Sequence, residues 1–222
     1  MVGVAASTAN SFIFLELGVL PIQYEIELRQ LMFLHRILNL HEDDPVHKMF
    51  ENQVRMAEAG EENWWSGVKI LFPKYNITLT QNEIKDMSKA KFRWMVKKEV
   101  ERVALQHLQL ECSTLKKTSN LKYEKLQLQP YLQKLYPNQS KTIFKMRSCT
   151  LDLKAHRSYK YKDLVCRRCG REEETVEHVI NCSKENISVK DVTQLHDFDA
   201  SERTDILAMI YRLHEFLDEY SN

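Results

Sequence analysis

Four side chains able to bind a metal ion stand within seventeen residues of one another, in the run Cys166-Arg-Arg-Cys169-Gly170-Arg171-Glu-Glu-Glu-Thr175-Val-Glu-His178-Val-Ile-Asn-Cys182. The pattern is Cys-x2-Cys-x8-His-x3-Cys, a donor set suited to one tetrahedral zinc. A Cys-x-x-Cys turn can present both thiolates to one ion, and Gly170 lets the chain leave that turn with positive φ. His178 and Cys182, four apart, share one face of any helix they occupy, and Thr175 is placed to cap that helix. Four protein ligands leave no open position for water, so the expected ion is a single structural Zn2+ held by Cys166, Cys169, His178 and Cys182. The competing readings are three buried cysteines beside a surface histidine, or a redox Cys-x-x-Cys. No strand in a βαβ setting precedes the latter.

Composition narrows the class. Among 222 residues there are only five glycines and five prolines, so tight turns and sheet are scarce and a mostly α-helical chain follows. The fold expected is an irregular helical bundle with a small zinc-stapled Cys-Cys-His-Cys module near the C-terminus. Four segments are expected: an N-terminal helical region (1–75), a basic helical region (76–160), the zinc knuckle (161–186) and C-terminal helices (187–222). Cys112 and Cys149 fall on helical patterns as buried reduced thiols, which argues for a reducing, intracellular compartment.

The net charge of +1 hides strong segregation. Residues 1–84 hold 6 Lys/Arg against 11 Asp/Glu, residues 85–168 hold 21 against 7, and residues 169–222 hold 5 against 13. A middle third this basic points to a polyanion, and nucleic acid is the usual one. The alternative is that acidic flanks neutralise it within the protein.

Residues 1–20 are nearly uncharged. There is no basic n-region, Glu16 interrupts the apolar run and Pro21 ends it, so neither a signal peptide nor a membrane span is expected. An ordered arm, or an internal piece of something longer, fits better. Helices are then expected from Pro21 to Asn39 and from Pro45 to near Gly60, with Asp43-Asp44 as a cap. Trp64 and Trp65, read as core, open a third helix that halts at Pro73. Thr80-Gln-Asn-Glu83 is a capping box. Ser88 opens a long helix to about Leu115, with Phe92, Val96, Val100, Val103 and Leu110 inward. Lys89, Arg93 and Lys97 step by four on another face of that helix, joined by Lys91, Lys98 and Arg102 beside Trp94. Such a face can follow a phosphate backbone or simply face solvent.

Pro130 and Pro137 bracket a short helix. Ser140 to Thr150 reads as helical, with Ile143, Phe144 and Met146 inward and Lys141, Lys145 and Arg147 outward. Arg157, Lys160 and Lys162 alternate with Tyr159 and Tyr161, a pattern suited to stacking on bases and pairing with phosphates. Arg167 and Arg168 sit on the metal motif itself, where they either bind phosphate or offset the roughly one net negative charge of a three-thiolate site. The nucleic-acid-binding set is therefore Lys89, Arg93, Lys97, Lys141, Lys145, Arg147, Arg157, Lys160, Lys162, Arg167 and Arg168. Ser188-Val-Lys-Asp191 is a weak cap pattern, and Ser201 opens a final helix with a broad apolar face that must dock on its own domain or on a partner. A zinc hydrolase using His156 or His196 is disfavoured, because neither completes an open three-ligand site.

Several stretches together resemble one family. They are Phe14-Leu-Glu-Leu-Gly-Val-Leu-Pro21-Ile, Arg29-Gln-Leu-Met-Phe-Leu-His-Arg-Ile-Leu-Asn39, Lys122-Tyr-Glu-Lys-Leu126, Ile143-Phe-Lys-Met-Arg-Ser148, Tyr161-Lys-Asp-Leu-Val-Cys-Arg-Arg-Cys-Gly170 and Glu174-Thr-Val-Glu-His-Val-Ile-Asn-Cys182. The chain is similar over about residues 10–185 to the region downstream of the reverse transcriptase domain in non-LTR (LINE-type) retrotransposon polyproteins. The resemblance implies a zinc knuckle at Cys166, Cys169, His178 and Cys182. It also implies an accessory role in handling RNA or DNA, with RNA favoured, in the nucleus before the cytoplasm and without a membrane. A longer retroelement protein or a host protein would be a further partner. The family's aromatic-x-Asp-Asp polymerase signature is absent and no endonuclease follows the motif, so no catalysis is expected. A fragment, a degenerate copy or a host gene descended from one fits. The alternative function is a protein–protein adaptor using the zinc module and the final apolar helix.

Overall fold

The structure is a computed structural model that describes residues 8–182 and 200–220. It is mostly helical, and among the described residues the only β pairing is a single antiparallel bridge between Val165 and Glu173. The chain divides into two compact units, Val19–His107 and a second made of Met1–Gly18 with Leu108–Asn222. The segment boundaries expected at 75 and 160 both fall inside these units. Helix patterns mark where elements begin and end, and packing decides which of them share a core. The expected Ser188–Asp191 cap, the 187–199 part of the C-terminal helices and His196 lie outside the described residues.

In the Val19–His107 unit, α2 (Ile22–Leu38), α3 (Pro45–Glu58), α4 (Trp64–Lys74), α5 (Gln81–Asp86) and the first part of α6 (Lys89–Thr114) enclose one apolar core. Local chemistry explains the starts. The Asp44 side chain accepts from the Val46 amide, Asn63 and Ser66 cap α4 reciprocally, and Thr80 and Glu83 form the capping box of α5. These bonds satisfy amides that a helix N-terminus leaves orphaned. Trp65 is buried and meets Phe50 edge-on, so it is core as its spacing implied. Two expectations shift. Pro73 lies inside α4, and Val46 and Met49 of α3 point outward, leaving Phe50 as that helix's buried residue. On α6 the inward stripe runs Phe92, Val96, Val100, Ala104, Leu108 and Cys112, while Leu110 is exposed. Val103 is half-buried and packs on the same core as expected, beside fully buried Ala104.

The second unit holds α1 (Asn10–Leu17), α7 (Pro130–Lys134), α8 (Pro137–Arg147), a 3-10 turn at Ala155–Arg157, α9 (Val176–Asn181) and α10 (Ala200–Glu219). Gly18 ends α1 at φ +62, and a Cβ there would sit 2.1 Å from the Gln127 carbonyl carbon. No other residue type fits this approach. Glu16, which interrupts an apolar run, is fully buried; it accepts from the hydroxyls of Tyr123 and Tyr131, 2.5 Å each, and pairs with Arg147 at 2.9 Å. Arg147 is 3% exposed and therefore cannot contact phosphate, which corrects its place among the nucleic-acid-binding residues. Its position three after Phe144 and four after Ile143 puts it on the inward face of α8. Cys149 is not on a helix: it follows α8 in the left-handed region at φ 49.

The final helix docks on its own unit. Ile206, Met209, Ile210, Leu213 and Phe216 are buried, and α10 packs on α8 and α9. Arg212 donates to the Ile180 carbonyl, and His214 meets the Thr142 hydroxyl at 2.5 Å. None of the described helices is long and apolar enough to cross a membrane.

Candidate metal centre

The donor atoms of Cys166, Cys169, His178 and Cys182 all lie within 4.8 Å of one another. Cys166 Sγ is 4.0 Å from Cys182 Sγ, and Cys169 Sγ is 3.2 Å from His178 Nε2. A tetrahedral ion with metal–sulfur bonds of about 2.3 Å and metal–nitrogen bonds of about 2.0 Å needs donor separations of roughly 3.5–3.8 Å. The cluster therefore fits one small ion and could form a zinc site.

Backbone bonds build this geometry. The bridge at Val165 delivers Cys166, whose amide donates to the Glu172 carbonyl at 2.7 Å. The chain then doubles back, with the Gly170 amide donating to the Cys166 carbonyl at 2.9 Å and Gly170 at φ +63. Thr175 caps α9 by accepting from the His178 amide at 3.1 Å. Helix α9 then presents His178, with Cys182 at its C-cap. On the far side of the imidazole, Nδ1 donates to the exposed Glu172 carboxylate at 3.0 Å. A ligating histidine usually makes such a bond, which fixes the tautomer that leaves Nε2 for the ion.

The electrostatics favour a cation. Backbone amides of Glu172 and Arg171 lower the Cys169 thiol to about 6. Burial, together with the neighbouring thiols of Cys169 and Cys166, pushes Cys182 up to about 12. Three thiolates cannot coexist here uncompensated, and a divalent ion removes the conflict by deprotonating its ligands outright.

Sequence reasoning missed Glu174. Its carboxylate is fully buried in what reads as a solvated acidic turn. It accepts from the Lys154 and Arg167 amides, each at 2.9 Å, and from the Arg167 guanidinium at 2.7 Å. Burial alone would raise its pKa, but these donors hold it below the usual carboxylate range. Arg167 also donates to the Asp152 carbonyl at 2.7 Å and lies 5.5 Å from the ring centroids of both Phe216 and Tyr220. Arg168 pairs with Glu219 at 2.6 Å. Both arginines are thus engaged by carboxylates of the protein, Arg167 by buried Glu174 and Arg168 by Glu219 near its surface.

The remaining basic residues divide. Lys89, Arg93, Lys141, Lys160 and Lys162 are exposed. Lys97 is exposed but 3.5 Å from Glu101, and Arg157 is 3.2 Å from Asp152. Lys141, Lys145 and Arg157 come together: burial first, then these two cations, hold Lys145 below its ordinary range. His156 takes no part in the metal cluster. It borders a cavity of about 260 Å³ with Lys117, Cys149 and Thr175, and burial lowers it to about 4.

What fold and site define is a mostly helical protein with a Cys3His cluster that could hold a metal ion. Comparison with protein-family models, with curated proteins and with solved structures gives no match.

Proposed function

We propose that this chain binds nucleic acid, RNA before DNA, in a form that depends on one structural zinc ion. In this reading it is an accessory region of the non-LTR retrotransposon type, without polymerase or endonuclease chemistry. The observation that carries the proposal is that exposed Lys141 and half-buried Lys145 stand one turn apart on α8 in the unit that holds the Cys3His cluster. Cations grouped on one helix face are neutralised most simply by a polyanion. Lys160 and Lys162, exposed beside Tyr161, extend the same chemistry: Lys160 Nζ is 5.2 Å from the Tyr161 ring centroid. The adaptor alternative would need the apolar face of α10, which already packs on α8 and α9.

The test is RNA affinity of the full chain against salt, with and without chelator. Affinity is expected to fall on a log–log slope of about −0.7 per phosphate contacted and to disappear with the zinc. Lack of retention on RNA at low salt, or a purified protein with substoichiometric zinc, overturns the proposal.

A further inference from the structure

Helix α6 leaves a tryptophan outside. Trp94 is 66% exposed, whereas Trp65 is in the core and Trp64 packs edge-on against Phe33 and Phe50. Residues three and four apart are neighbours on a helix surface, so Lys91, Lys97 and Lys98 share the helix face of the indole. Lys98 Nζ lies 5.4 Å from its ring centroid. Lys89, Lys91, Arg93, Lys97 and Lys98 are all exposed. The acids on this stretch have partners already: Glu99 pairs with Arg102 at 2.8 Å and Glu101 with Lys97. Among the described residues, Lys89, Lys91 and Arg93 have no acidic partner. The opposite face of the helix is the buried stripe of Phe92, Val96 and Val100, so the indole is not awaiting a place in its own core.

We infer that Trp94, with Lys91, Lys97 and Lys98, is a stacking platform for an unpaired base of single-stranded nucleic acid. The flat face of the indole offers a base more contact than any other side chain, and the flanking ammonium groups meet the phosphates on either side of it. A paired base presents no free face, so a duplex would gain only from the lysines. An acidic protein surface has the charge but not the ring that this arrangement suits. The inference rests on the nucleic-acid reading above and adds to it a second site, in the Val19–His107 unit, and a preference for single strands.

The experiment compares zinc-loaded full chain with Trp94→Ala and Trp94→Phe, binding a labelled unstructured oligouridylate and a labelled duplex RNA at low salt. Trp94→Ala is expected to weaken oligouridylate binding about 5- to 150-fold, since stacking contributes about 1–3 kcal/mol per base. Trp94→Phe should retain most of the affinity, and duplex binding should change less than about twofold because it depends on phosphate contacts. Equal loss on both RNAs, or no loss on either, overturns the platform while leaving the nucleic-acid reading standing. Displacement of the oligouridylate by polyglutamate as efficiently as by unlabelled RNA overturns it in favour of an acidic protein. Wild type that binds neither RNA overturns the broader reading as well. The side chain is exposed, so circular dichroism and zinc content should match wild type in both variants.

Discussion

The Val19–His107 unit and the loop-rich stretch from Leu164 to Cys182 are held together by different physics. The first buries a continuous apolar cluster from five helices, including Leu31, Leu34, Val68, Phe92, Val96 and Val100. Three of its helices, α3, α4 and α5, start at side-chain caps. The second has only Cys166, Val176, Val179 and Ile180 as buried apolar residues, one β bridge and one short helix. Beyond these it has bonds converging on Glu174 and four donor atoms close enough to hold one ion. Burial is spread over many residues and tolerates loss of one, whereas a ligand set fails together. Segments this short rarely bury enough apolar surface to offset their conformational entropy.

Under the zinc reading proposed above, the largest effect should follow from removing the ion. Zinc binding contributes on the order of 10–16 kcal/mol to folding of zinc-finger peptides. Chelation, or His178→Ala, is expected to abolish amide-exchange protection across residues 164–182 while protection in α2 and α6 persists. Retained protection in the cluster without metal would show that the Glu174 bonds suffice, and the contrast between the two regions would collapse.

A cavity in the helical core should do the reverse. Phe92 is fully buried and stacks on His35, with ring centroids 5.1 Å apart. His35 Nε2 in turn meets the Met87 carbonyl at 2.8 Å. Phe92→Ala is expected to destabilise the Val19–His107 unit by about 3–5 kcal/mol, read as a lower midpoint in urea, with zinc stoichiometry unchanged. Loss of zinc from this variant would mean that the two regions do not fail independently.

This difference also decides how much could be read in advance. Short-range rules were legible: the capping box at Thr80, the caps at Asp44 and Thr175, positive φ at Gly170 and the spacing of the four ligands each depend on neighbours a few residues away. The α6 stripe was legible through Val103 and failed at Leu110, because a step of four carries the buried line on through Ala104 and Leu108 and leaves Leu110 on the other face. Buried charge was not legible. Glu16 and Arg147 lie 131 positions apart, so pattern alone reads Arg147 as one more cation in a basic run, although its spacing from Ile143 pointed inward. Glu174 hides for the same reason within three consecutive glutamates, and only the fold separates it from exposed Glu172 and Glu173.

The smallest effect, acid sensitivity, should sharpen the contrast most. In the helical unit the half-buried ion pair is Glu27 with Lys74, 2.6 Å apart, joined by the Tyr75 hydroxyl. Burial would raise the Glu27 carboxyl, but bonds from Lys74, Tyr75 and Gln23 hold it below its ordinary value. A depressed carboxylate contributes stability that is fully present above its unfolded pKa, about 4.3, and is lost as the pH falls through its folded value. Glu27→Gln should therefore cost about 1 kcal/mol at neutral pH, with the difference from wild type shrinking below about pH 4. Metal ligands must be deprotonated to bind, so zinc affinity weakens as protons compete for thiolate and imidazole. On lowering the pH, exchange protection at 164–182 should vanish while Glu27 is still ionised and α2 still protected. A single transition shared by both regions would mean that the bundle, and not the ion, sets the stability of the metal-binding loop.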